Sequence, residues 1–218
     1  MSVMGASAQN ARETQNARET EQRARIIATA ERLFREIGFQ KTTVADIARE
    51  LRMSPANVYR FFGAKSEINA AVARHLMNEV EQSAQSIAHG PGSAEQRLRA
   101  LILSNEAMNA ERYVADRKLH DMVEAALDEN WPIISDHIDR IDAALEDVIR
   151  SGMESGEFAK ADAQLAARLV HAACIRYCHP RLMVECADRP TPTSAQMVEF
   201  CIAALRAGFC PNRSTTSR

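Results

Sequence analysis

The stretch from Thr42 to Ile68, TTVADIARELRMSPANVYRFFGAKSEI, restricts what this 218-residue chain can fold into more than any other. Val44, Ile47, Ala48 and Leu51 fall at helical spacing and make one narrow buried stripe, with Thr43 placed to cap the helix through its hydroxyl. Ser54 followed by Pro55 is a second helix start, because Pro in the first turn has no N–H to leave unsatisfied. Val58, Phe61 and Phe62 form the buried side of this second helix. Pro55, Ala56, Asn57, Tyr59 and Arg60 remain on or near its open side. Ile47, Leu51, Met53, Val58 and Phe61 are expected to fill the small core, with Ala48 at the close crossing. Two short helices joined by a tight turn, the second presenting Asn, Tyr and Arg, have the layout of a helix-turn-helix DNA reader. Arg52 occupies the turn position that usually takes Gly, where the backbone tends toward positive φ.

Charge supports this layout once it is divided. The formal net charge is −2. Glu21 to His75 carries ten Lys and Arg against six Asp and Glu, a net +4, whereas Leu76 onward carries fifteen against twenty-one, a net −6. A basic head and an acidic body suit a protein that sets one end on phosphates and keeps the other off them.

Few breakers interrupt the chain. With eight Gly, seven Pro and an abundance of Ala, Arg, Glu and Leu, the expected fold class is all-α. No apolar run reaches the roughly 18 residues a membrane span needs, and the N-terminus lacks the apolar core of a signal peptide, so a cytoplasmic location is expected. No G-x-S-x-G, H-E-x-x-H or phosphate-binding Gly loop is present, so neither enzyme chemistry nor a cofactor nor a metal is expected. The five cysteines all lie from Cys174 onward without a C-x-x-C pair, the pattern of free thiols.

The run resembles the N-terminal domain of the tetracycline-repressor (TetR) family of bacterial transcriptional regulators. The matching residues are Ala30, Phe34, Gly38-Phe39, Thr43-Val44, Ile47-Ala48, Ser54, Val58 to Phe62, Lys65 and Ile68, within about Ala24 to Leu76. The resemblance implies a homodimer on palindromic operator DNA and a helical C-terminal domain that binds a small-molecule inducer. A looser resemblance continues at Gly152 to Phe158, G-x-x-x-G-E-F, followed by Asp162. It further implies that the last two helices make the dimer bundle, for which Ala166, Ala167, Val170 and Ala173, with Ala203, Ala204 and Ala207, would allow close approach.

The domain organisation expected is a flexible tail over 1–20, a three-helix helix-turn-helix DNA-binding domain over 21–76, a helical ligand-binding and dimerisation domain over 77–211, and a tail over 212–218. The first 20 residues hold the hexapeptide QNARET twice and almost no large apolar side chain. The clearest boundary is His89-Gly90-Pro91-Gly92. Body helices are expected over 93–110, 114–128, 132–155, 162–178 and 193–208, with Gly152 and Gly156 ending the third.

Site residues follow. Thr42, Thr43, Ser54, Tyr59, Arg60 and Lys65 are candidates for phosphate contact. Pro55, Ala56 and Asn57 stand at the reading end of the helix, where Asn pairs with adenine and small apolar groups meet a thymine methyl. Met108, Tyr113, Met122, Trp131, Ile134 and Tyr177 are candidate walls of an inducer pocket, since large, soft or aromatic groups suit an apolar ligand; core packing is the default reading of each. His171, Cys174, Cys178 and His179 offer an alternative, a metal- or thiol-responsive regulator. A helical interaction protein that has lost DNA recognition is the other alternative, opposed by the intact Tyr59, Arg60 and Lys65.

Overall fold

The computed structural model describes residues 3–114, 118, 121–122, 131–189 and 191–208, and these form helices and turns with no strand among them. The chain divides into two compact units, one built mainly on residues through His75 and the other on Leu76 onward.

The first unit contains α1 (Val3–Glu36), α2 (Val44–Glu50), α3 (Pro55–Tyr59) and the start of α4 (Lys65–Ala88). Here α1 takes in both QNARET repeats, where a flexible tail is expected from the lack of apolar residues. Those repeats are rich in strong helix formers and place partners one turn apart, such as Gln9 with Glu13 and Glu19 with Arg23. Residues 12–21 nevertheless stay exposed, because they have nothing apolar to pack. The domain proper begins where Ile26, Ala30, Leu33 and Phe34 turn inward against Val44, Ile47, Val58, Phe62, Ile68 and Val72. Gly38, at φ 101°, ends α1 and begins the reversal that follows it.

The second unit contains the rest of α4, α5 (Ala94–Asn109) with a π-helical turn at Ala110–Val114, α6 (Trp131–Ser155), α7 (Ala163–Cys178), α8 (Pro180–Glu185) and α9 (Ser194–Ala207). The helix expected over 114–128 falls almost wholly outside the described residues. One core joins the others: Val80 and Ala84 of α4, Leu98 and Leu101 of α5, Leu145 and Ile149 of α6, Val170 and Cys174 of α7, and Val198 and Ile202 of α9.

The run from Gly152 to Phe158 organises this core. Gly152 does not end α6, which continues to Ser155. A Cβ on Gly152 would lie 2.3 and 2.6 Å from ring carbons of Phe158 and 2.8 Å from the Cβ of Ala94, so glycine is what admits the ring. Glu157 then accepts the backbone N–H groups of Ala94 at 3.0 Å and Glu95 at 3.2 Å, satisfying the first turn of α5. Burial alone would raise the Glu157 carboxyl; these bonds outweigh it and hold it below the usual carboxylate range.

Candidate nucleic-acid interface

The geometry of the reader follows from its caps. Thr43 and Asp46 form a reciprocal capping box: the Thr43 hydroxyl oxygen accepts the Asp46 N–H at 3.1 Å, and Asp46 accepts the Thr43 N–H at 2.9 Å. Hydrogen bonds from the Thr43 hydroxyl and backbone, aided by Arg49, lower the Asp46 pKa. At the other end of α2 the N–H of Met53 donates to Ala48 at 2.9 Å and that of Arg52 to Arg49 at 3.1 Å, a complete Schellman turn. Arg52 holds it at φ 55°, the left-handed conformation that the sequence position demands and that costs a non-Gly residue about 1 kcal/mol.

The Schellman turn leads directly into α3. The Ser54 hydroxyl oxygen accepts the Asn57 N–H at 3.2 Å, and Pro55 takes the first helical position. Val58 is fully buried and Phe62, one turn on, is 5% exposed, whereas Phe61 is only half-buried. The expectation that Phe61 helps fill the core is therefore corrected: Phe62, at i+4 from Val58, shares its face. Leu51 and Met53 are half-buried, and Ile47 and Ala48 are buried as expected. Arg23 of α1 lies 5.2 Å from the Phe62 ring centroid, a cation–π contact that ties α1 to the segment after α3.

The candidate DNA contacts separate into two groups. Thr43, Ser54, Pro55, Ala56, Tyr59 and Arg60 are exposed, Tyr59 by 50%, and Asn57 is half-buried with its side-chain oxygen 3.4 Å from an Arg60 nitrogen. Thr42 departs from the expectation: it is 1% exposed, and its hydroxyl donates to the Gly38 carbonyl at 2.9 Å, so it pins the end of α1 and has no face for a phosphate. Lys65 is half-buried, with its ammonium donating to the Phe39 carbonyl at 2.5 Å. Burial lowers its pKa. Lys41, Arg49 and Arg52 are further exposed cations of this segment, Arg49 paired with Asp46 at 2.7 Å.

Among the described side chains of the second unit, the candidate pocket walls Met108, Ile134 and Tyr177 do not line one cleft together. Met108 and Ile134 are half-buried, and Met122 is fully buried but groups with the first unit rather than the body. The side chains of Tyr113 and Trp131 lie outside the described residues. Tyr177 is buried and donates its hydroxyl to the Pro192 carbonyl at 2.7 Å. It lines a cleft with Glu106 and Met183 that includes neither Met108 nor Ile134.

The late Cys and His residues are drawn into packing. Cys174 and Cys178 lie in the core, and burial pushes the Cys178 thiol up to about 12, which makes it a poor nucleophile. His171 turns to Asp142 at 2.5 Å, and among the described residues no three His, Cys, Asp or Glu side chains gather as metal ligands. No helix of the described residues is long and apolar enough to cross a membrane.

Comparison with known proteins agrees with this geometry. The family model described as bacterial regulatory proteins, tetR family, matches residues 26–72, and one described as tetracyclin repressor-like, C-terminal domain, matches residues 94–198. The HTH-type transcriptional regulator HbdR of Aromatoleum sp. (strain CIB) is 37% identical over 62 residues, 28% of this chain and 27% of the relative. The HTH-type transcriptional regulator BetI of Brucella anthropi is 32% identical over 83 residues, 38% of this chain and 43% of the relative. These matches thus span less than half the length of the curated relatives. Among solved structures, a putative transcriptional regulator from Pseudomonas aeruginosa PAO1 superposes with a TM-score of 0.61 at 24% identity, covering 87% of this chain and 92% of that one. A putative TetR-family transcriptional regulator from Mesorhizobium loti MAFF303099 gives a TM-score of 0.62 at 17% identity, with coverages of 87% and 96%. The solved structures share the fold.

Proposed function

The chain belongs to the tetracycline-repressor (TetR) family of helix-turn-helix transcriptional regulators, and from that premise we propose that it is a cytoplasmic, homodimeric repressor released from a palindromic operator by a small-molecule inducer. The observation that carries the reading is the outward face of α3. Val58 alone of its five residues is buried, which leaves Pro55, Ala56 and Asn57 at the reading end and Tyr59 and Arg60 beside them. Asn57 reads a base edge, and Thr43, Ser54, Tyr59, Arg60 and Lys65 bind phosphates, Lys65 with the donors its bond to Phe39 leaves over.

Dimerisation through α7 and α9 is supported by what those helices leave uncovered. Ala166, Ala167 and Val170 are spent on the chain's own core, so they are not the contact face expected from the sequence. Exposed instead are Leu165, Leu169 and Ala172 on α7, and Phe200, Ala203, Ala204 and Ala207 on α9, with Leu169 50% and Phe200 70% exposed. Bare Leu and Phe on adjacent helices favour a partner surface. In such a dimer the two α3 helices meet successive major grooves about 34–36 Å apart. An inducer lowers operator affinity to the extent that it binds the released state better.

A nuclease footprint on the DNA upstream of the gene tests this reading. A protected near-palindrome holding two chains, lost on adding an effector, is the expected result. Protection of an asymmetric site by a single chain contradicts it.

A further inference from the structure

The body holds a cleft of about 270 Å³ whose walls carry charges of both signs. Glu106 comes from α5, Arg176 and Tyr177 from α7, and Ser194 from the first turn of α9; Met183 of α8 and Arg189 of the following turn close it. Glu106 is half-buried, and its hydrogen-bond partner among the described residues is the hydroxyl of Ser194, which donates to it. A carboxylate drawn partly out of water and met by one neutral hydroxyl keeps most of its acceptor capacity for another donor. Arg176 donates to the Arg189 carbonyl and lies 5.5 Å from the Tyr177 ring centroid, which leaves several of its five N–H donors unspent. The Tyr177 hydroxyl is committed to Pro192, so its ring, with the Met183 thioether, contributes apolar surface.

We infer that this cleft binds a small zwitterion of amino-acid size, its ammonium on Glu106 and its carboxylate on Arg176, as the effector of the repressor; the inference rests on the inducer reading above. A purely cationic ligand would leave the guanidinium unanswered, and a purely anionic one would face Glu106 without compensation. A ligand with both charges answers Glu106 and Arg176 at once, and Arg189 at the rim adds to the attraction for its carboxylate.

The same cleft has a route to α4. Its yielding wall is α8, which buries none of its six side chains and packs on the π-helical turn Ala110–Val114. Within that turn Arg112 donates to the Leu76 carbonyl at 2.9 Å and pairs with Glu79, both on α4. A ligand that draws Glu106 and Arg176 together displaces α8, then the π turn, then the Arg112 contacts. From there α4 runs without a break back to Lys65, just after the reader.

The test uses the full chain. Thermal unfolding is followed with each common α-amino acid at about 10 mM, where specific binding raises the midpoint saturably. The best stabiliser is then compared by calorimetry with its decarboxylated amine and its deaminated acid. The expected result is that one or more amino acids bind, that loss of either charge weakens binding at least about tenfold, and that Glu106→Gln, which still accepts from Ser194, weakens the zwitterion as much while leaving the deaminated acid bound at least as tightly as before. The inference is overturned if no amino acid stabilises the protein, if either singly charged analogue binds as tightly as its parent, or if Glu106→Gln changes nothing. Repeating the titration on the DNA complex separates the two readings. Binding that depends on Glu106 but leaves DNA affinity unchanged overturns the effector role. Release by another small molecule, with no zwitterion bound, overturns this site and leaves the inducer reading standing.

Discussion

The ammonium of Lys65 lies 2.5 Å from the carbonyl oxygen of Phe39 and 4.4 Å from the centroid of its ring, so the first residue of α4 also closes the chain reversal after α1. Phe39 in turn packs edge-on against Phe34 at 5.4 Å, which ties that reversal to the core. Lys65→Met keeps the stem and removes the charged donor. It should lower the stability of the protein by about 1 kcal/mol in denaturant unfolding and weaken operator and random DNA by the same factor. An operator-selective loss would make Lys65 a base reader instead.

Gly152 is the position where one methyl group should do most harm. Its Cβ would lie 2.3 Å from a ring carbon of Phe158 and 2.8 Å from the Cβ of Ala94, closer than van der Waals contact allows on either side. Gly152→Ala should cost about 1–3 kcal/mol in unfolding free energy, the range for overpacked cores. Gly152→Ala combined with Phe158→Leu should recover part of that loss, and failure of the double variant to recover any would count against the steric account.

Glu81 links stability to pH. It is 7% exposed and accepts from His137 at 2.8 Å and Arg140 at 2.6 Å. Burial alone would raise its carboxyl, but the two donors more than offset that and hold it below the ordinary glutamate range. A carboxyl depressed on folding stabilises the protein above its unfolded pKa and loses that contribution as pH falls through the folded one. Glu81→Gln should therefore melt lower than the parent at neutral pH, and the gap should narrow as pH falls below about 4.5. A gap that stays constant across that window would assign the loss to packing alone.

Leu169→Glu with Phe200→Glu should leave each chain folded, because both side chains are exposed, yet shift the sedimentation equilibrium toward monomer. Operator affinity should fall with it. Unchanged mass would place the dimer contact elsewhere.

What the sequence disclosed and what it hid divide along physical lines. The reader was legible because its signals are local: a hydroxyl cap at Thr43, Ser54-Pro55 as a start, and Arg52 in a turn that requires positive φ, found here at 55°. Thr42 was not legible, since an exposed-looking Thr beside a cap differs from a buried one only through the Gly38 carbonyl it reaches. Phe61 and Phe62 both read as buried, and with α3 ending at Tyr59 the helical spacing beyond it could not show that Phe61 stays half-exposed. The N-terminal repeats illustrate competing rules, with low hydrophobicity arguing for disorder and composition arguing for helix. In the body, Gly152 read as a terminator because the run Gly152 to Phe158 does not show that the chain folds back to set the Phe158 ring on Gly152. The small-residue stripe of α7 misled in the same way: Ala166, Ala167 and Val170 mark close packing without saying whether the neighbour is the same chain or another, whereas Ala203, Ala204 and Ala207 of α9 are exposed.

The most direct test of the account is a fluorescence-anisotropy titration of the purified protein against its own upstream DNA and a scrambled duplex of equal length, across a range of salt. The account predicts tight binding to the upstream fragment alone, weakening steeply with salt as phosphate contacts require, with Asn57→Ala losing about 1–3 kcal/mol of that preference at one base pair. Equal, weak binding to both duplexes, unaltered by Asn57→Ala, would contradict the claim that α3 reads a DNA sequence.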